Sequence, residues 1–174
     1  MDNFKLKRVK LLDNLGLEVT YYEKVNRSDG DYWIEKKIKS TIQRHPDLDR
    51  VVSGYKVHLA RIFELLAVGL YKPEADMNEQ ENKYYNSIIR KIDISCITFT
   101  GTDDSNNGVI IQGRKFVMDD KIAVLTTPNV LFNGEYEYIS DVMTLCADMI
   151  EEVFDYVFKK KYAQLDLFAD SEIR

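Results

Sequence analysis

Apolar and polar positions along this chain run through the same plan twice. Phe4 to Leu12 is β-like and leads into Asp13-Asn14-Leu15-Gly16, a turn-forming cluster whose glycine tolerates positive φ. Leu17-Glu18-Val19-Thr20-Tyr21 alternates with period two, as a half-buried strand does. After the turn Asn26-Arg27-Ser28-Asp29-Gly30, the residues Tyr32, Ile34, Ile38 and Ile42 can share one face of a strand that also carries Lys36. Ile34 and Ile38 are one helical turn apart as well, yet the three segments together predict a meander of strands. Pro46 disfavours helix at His45, and Asp47 is suited to cap the helix that follows. Its apolar stripe passes through Leu48, Val51, Val52, Tyr55, Leu59, Ile62, Phe63 and Leu66. Gly54 weakens that helix by ~1 kcal/mol relative to alanine. Gly69 and Pro73 are expected to end it, and the acidic stretch from Lys72 to Lys83 reads as a surface loop.

The second round begins with a strand marked by Ile92, Ile94, Cys96 or Ile97, and Phe99, followed by the loop Gly101 to Gly108. Val109 to Val117 and Lys121 to Thr127 predict two more strands joined at Asp119-Asp120, with Pro128 stopping the last. Beyond a loop at Asn133-Gly134, Ile139, Val142, Met143, Cys146, Met149, Ile150, Val153, Phe154, Val157 and Phe158 form an apolar stripe at helical spacing. Lys159, Lys160 and Lys161 stand at its C-terminal end, where the helix dipole favours cations. The expected fold is α+β: a mostly antiparallel sheet of about six strands in βββα-βββα order, with two amphipathic helices on one face. A single domain is expected over 1–162, its halves 1–70 and 88–162 alike in plan but not in residues, with a tail at 163–174.

A length of 174 residues suits one domain, and 45% hydrophobic with 30% charged residues is ordinary globular composition. No apolar run reaches the ~18 residues of a membrane span. The two cysteines, Cys96 and Cys146, make no disulfide framework, which predicts reduced, buried thiols and a cytoplasmic chain. The net charge of −5 argues against broad nucleic-acid binding, since phosphate neutralisation needs a basic excess. Positive charge is concentrated in short pieces: Lys5, Lys7, Arg8 and Lys10, then Lys36, Lys37 and Lys39, then Lys159 to Lys161. Each piece reads either as a solvated face or as a local patch for weak DNA contact.

Reactive constellations are scarce. His45 reads as structural and His58 as a surface or boundary residue, neither in a metal-ligand spacing. The loop Asp103 to Gly108 has oxygen side chains on alternate residues, but Arg114 stands where a calcium loop needs a bidentate glutamate. It reads as a hairpin connection, and Asp119-Asp120 as a turn. The 11 tyrosines are dispersed as sheet residues are. No P-loop, nucleophile elbow or dinucleotide motif occurs. The expectation is a protein without enzymatic activity, cofactor, metal or small-molecule substrate.

The specific signal lies at the end. Gln164-Leu165-Asp166-Leu167-Phe168 resembles the pentapeptide, Q-L-[S/D]-L-F, by which many bacterial replication and repair proteins dock on the sliding clamp, the ring-shaped β subunit of the replicative polymerase. The resemblance implies that Gln164 hydrogen-bonds at the pocket rim, Leu165 helps hold the segment, and Leu167 and Phe168 fill the apolar cleft, with Asp166 at the variable position. Burial of such side chains contributes ~1.5–3 kcal/mol each. The alternative is that Leu165, Leu167 and Phe168 fold back on the chain's own sheet. The Asp13–Val19 hairpin, His45-Pro46-Asp47-Leu48, Leu125-Thr126-Thr127-Pro128, the long last helix and this ending together resemble small uncharacterised proteins of bacteriophages and integrated elements. That resemblance implies a bacterial-cell or virion setting. Three functions follow as expectations: a replication or recombination accessory protein tethered to the clamp, a virion or assembly subunit whose tail packs on a neighbour, or an inhibitor occupying the clamp cleft.

Overall fold

The computed structural model describes residues 3–28, 30–70, 74–101, 107–117 and 121–163. Its strands are β1 (Phe4–Leu11), β2 (Leu17–Arg27), β3 (Gly30–Ser40), β4 (Ile92–Thr100), β5 (Gly108–Phe116), β6 (Ile122–Thr126) and β7 (Val130–Leu131). They form one antiparallel sheet in the order β3-β2-β1-β4-β5-β6, with β7 beside β5. Each half is a meander, and the halves join through their first strands, where Val9 lies opposite Ile97 and Lys10 opposite Cys96. The α+β class and antiparallel sheet expected from the alternation are what the chain adopts, with the short β7 in addition.

The helices are α1 (Pro46–Ile62), α2 (Glu79–Ile89) and α3 (Ile139–Phe158). α1 and α3 bury their apolar stripes on one sheet face. Leu48, Val52, Tyr55 and Leu59 of α1 and Val142, Cys146, Met149 and Val153 of α3 share a core with Val9, Leu17, Val19, Ile97, Val109 and Ile111. Two glycines permit the close contact. A Cβ on Gly54 would stand 2.5 Å from Leu145 Cδ2 of α3, and one on Gly113 of β5 would stand 2.5 Å from Leu59 Cδ2. Gly54, a weak point by helix propensity, is thus the residue that lets the two helices approach.

Three local expectations are corrected. His45, not Asp47, caps α1: its Nδ1 accepts the Asp47 N–H at 3.2 Å, and Pro46 takes the first helical position, where no N–H is needed. The segment Lys72 to Lys83 is not all loop, because α2 begins at Glu79. Asn78 Oδ1 accepts the Glu81 N–H at 3.0 Å, while Glu81 Oε2 accepts the Asn78 N–H at 2.8 Å, a reciprocal capping box. Tyr85 is buried on that helix and Ile88 and Ile89 pack on the core.

The third correction is that α1 stops at Ile62, well before Gly69. The Leu65 N–H bonds Ala60 O at 2.8 Å and the Glu64 N–H bonds Arg61 O at 3.0 Å, the paired bonds of a Schellman end. Glu64 holds the left-handed position of that motif with φ 51°, where glycine is usual. A side chain there costs ~1 kcal/mol. Glu64→Gly is therefore expected to stabilise the fold by up to about 1 kcal/mol, read as a higher urea midpoint at unchanged slope.

Candidate nucleic-acid interface

With α1 and α3 on one side, the opposite side of β3, β2 and β1 faces solvent, and its residues follow from the register. One row across the sheet reads Lys39, Glu18, Lys10, Cys96, Gln112, Thr126. The next reads Lys37, Thr20, Arg8, Thr98, Ile110, and beyond it come Glu35, Tyr22 and Lys5. Trp33 and Lys24 stand opposite one another in the row after that. Bulges between Leu6 and Arg8 and between Ile94 and Cys96 keep the alternation in phase across the central pair. At the first bulge Lys7 also turns to this face, since its Nζ bonds Glu35 and stands 5.2 Å from the Tyr22 ring.

The result is a charge imbalance. Lys5, Lys7, Arg8, Lys10, Lys24, Lys37 and Lys39 face three carboxylates, Glu18, Asp31 and Glu35, on a chain whose net charge is −5. Lys37 pairs with Glu18 at 2.9 Å and Lys24 with Asp31 at 2.7 Å. Lys37, together with Lys10 and Lys39, holds the Glu18 carboxyl below the ordinary glutamate range. Three ammonium groups therefore surround one carboxylate, and phosphate is the sort of group that the excess attracts. The lysine runs at 5–10 and 36–39 are far apart in sequence, but β2 brings them side by side. Lys36 points the other way and pairs with Glu23, and Lys159 to Lys161 lie elsewhere.

Cys96 is buried as expected, though outside the cluster beneath the helices. It lies on the open side, covered by Arg8, whose Nε is 3.1 Å from Sγ. Cys146 is in the core as expected. Tyr55 Oη lies 3.4 Å from its sulfur, and burial pushes the thiol up to about 11, which keeps it protonated. Both cysteines are free thiols.

His58 is not a surface residue: it is 2% exposed, with Nδ1 3.1 Å from Tyr136 Oη and its ring edge-on to that tyrosine. Burial, aided by the Arg61 charge, lowers its pKa to about 4. Beside it, a cleft of about 850 Å³ runs between the end of α1 and the β6–β7 connection, lined mostly by Ile62, Leu66, Ala67, Pro128, Val130, Leu131 and Tyr136. Its described walls carry no cysteine, serine, histidine or lysine.

A third cluster anchors the root of the tail. Oxygens of Asp47 and Glu152 gather with the His45 ring, but Lys161 Nζ occupies the position between them, 3.0 Å from Asp47 Oδ2 and 2.8 Å from Glu152 Oε1. Lys161 holds the Asp47 carboxyl below its ordinary range. Next to it, Tyr162 bridges to Arg44 and stacks edge-on against Tyr156 at 4.9 Å, and the Ala163 N–H bonds Gln43 O at 3.1 Å. The chain is thus pinned to the β3–α1 connection up to Ala163. The predicted clamp-docking residues Gln164, Leu165, Asp166, Leu167 and Phe168 lie outside the described residues, as do Asp103, Asp104, Asp119 and Asp120.

No family model, curated protein or solved structure matches the chain. Among the described residues, no helix is long and apolar enough to cross a membrane.

The buried neutral histidine gives a pH test. Its folded pKa of about 4 lies below the ordinary 6.5, so the unfolded chain takes the proton first and acidification favours unfolding. Its contribution is complete above pH ~6.5 and about 2 kcal/mol smaller by pH ~5. Denaturant melts at pH 7 and 5 are expected to show that loss, and His58→Gln is expected to reduce it.

Proposed function

We propose that this protein is a non-enzymatic accessory factor of DNA replication or recombination, from a phage or mobile element. In this reading its β3-β2-β1 face holds a nucleic-acid backbone and its Gln164–Phe168 segment docks on the bacterial sliding clamp. The observation that carries it is the segregation of charge: an acidic chain collects seven cations against three carboxylates on one uncovered sheet face. Acidity elsewhere favours a localised, weak contact over broad coating of DNA, and a weak contact suits a protein brought to its target by a tether. Ala163, the last described residue, bonds Gln43, four positions past Lys39 at the end of β3. The pentapeptide begins at the next residue, so no spacer separates it from the body, and a docked clamp would stand close to the lysine face.

A second reading, a subunit of a virion or other assembly, is favoured by the opposite edge of the sheet. β6 carries no charge along Ile122–Thr126, and Ile122, Val124 and Phe116 are exposed beside it, a composition that suits strand pairing with another chain.

Two variants separate the parts of the proposal. Phe168→Ala is expected to weaken binding to purified clamp at least ~10-fold, as loss of an apolar anchor does, with nucleic-acid binding unchanged. Lys10→Glu combined with Lys39→Glu is expected to do the reverse and to lower the salt dependence of nucleic-acid binding. Surface plasmon resonance on immobilised clamp and anisotropy of labelled oligonucleotides read the two arms. Clamp binding that is indifferent to Phe168→Ala sinks the tether, and assembly into large particles by sedimentation favours the second reading.

A further inference from the structure

We infer that the open face of β3, β2 and β1 takes a single strand of nucleic acid in preference to a duplex, with Trp33 and Tyr22 receiving unpaired bases. The inference rests on the nucleic-acid reading above and names its ligand more narrowly. Trp33 is the chain's one tryptophan, and it stands 40% exposed on the charged face rather than in the core. Tyr22 lies diagonally from it on β2, because Trp33 pairs with Lys24 and Tyr22 with Glu35. Diagonal positions across strands are ~7–8 Å apart, within reach of large rings.

Each ring has a cation over it. Lys5 Nζ is 4.5 Å from the centroid of the Trp33 ring, and Lys7 Nζ is 5.2 Å from that of Tyr22. Such contacts are weak where water has access, so they can be exchanged. A base laid on either ring displaces the ammonium group towards the phosphate that the base brings with it. Stacking and charge neutralisation are then satisfied in one movement, without a change of backbone.

The same geometry disfavours a duplex. Its base planes are covered by stacking, and its grooves are read by elements that project into them. Among the described residues, α1 and α3 lie on the far side of the sheet and α2 packs on α1. Among the described residues, nothing rises from β3-β2-β1 except side chains. Trp33 and Tyr22 therefore add nothing to a duplex, and only the lysines would act on it. Same-face residues on one strand recur every ~6.8 Å, so Lys37 and Lys39 offer successive charges to an extended backbone.

The test uses the full chain and labelled oligothymidylate of roughly 15 nucleotides, an unstructured RNA of that length, and a blunt DNA hairpin. Anisotropy is expected to show single strands bound about 10-fold more tightly than the hairpin at moderate salt, with quenching of Trp33 emission as they bind. Trp33→Ala is expected to weaken single-strand binding about 10-fold and leave the hairpin unchanged, whereas Lys10→Glu with Lys39→Glu weakens both. Trp33 is exposed, so circular dichroism should confirm an intact fold. Equal affinity for hairpin and single strand, indifferent to Trp33→Ala, overturns the inference while the nucleic-acid reading stands. Binding to none of the three ligands overturns both.

Discussion

The packing of α1 and α3 onto a single face of one continuous sheet is the constraint from which the rest follows. Their stripes meet over the central strands, and this is possible because Gly54 lets Leu145 close on α1 and Gly113 lets Leu59 press onto β5. Over β1 and β2 that face is filled, while β3 at the edge stays exposed on both faces. Alternation sends every second residue of β1, β2 and β3 to the other side, where none of the described helices excludes water. The core and the lysine face are two consequences of the same strand period.

Antiparallel register then performs the sorting that charge alone could not. β2 lies between β1 and β3, so lysines from two distant sequence runs meet around Glu18, while Lys36, one residue out of phase, pairs with Glu23 behind the sheet. The two edges of the sheet differ in kind. β3 carries charges along most of its length, which opposes pairing with foreign strands, and β6 carries none. The tail is pinned at the charged end of this arrangement, by Lys161 between Asp47 and Glu152 and by Ala163 on Gln43.

Local departures from the sequence reading have local causes. The end of α1 was hidden because a glutamate occupies a position usually held by glycine, and the pattern of apolar residues ran on past it. α2 was hidden by its acidic composition, although Asn78 followed three residues later by Glu81 is a capping signature that could have revealed it. His58 was misplaced because a polar residue on a helix gives no sign of the tyrosine that will cover it. The choice between Cys96 and Ile97 for the helix-covered side was left open by the sequence, and the bulge beside Cys96 decides it, because a one-residue shift moves a side chain to the other face.

By itself the sequence determined the two meanders, the two long amphipathic helices and the α+β class, because each is written as a short-range period of apolar residues. It also carried the terminal pentapeptide, which is a matter of contiguous residues. Only the tertiary structure decided that β1 and β4 pair at the centre, that one face stays open, and that Lys5, Lys10, Lys39, Tyr22 and Trp33 share it. Those relations depend on which strand lies beside which and in what register. Such choices are made by the burial of distant apolar residues together, and no local pattern records them.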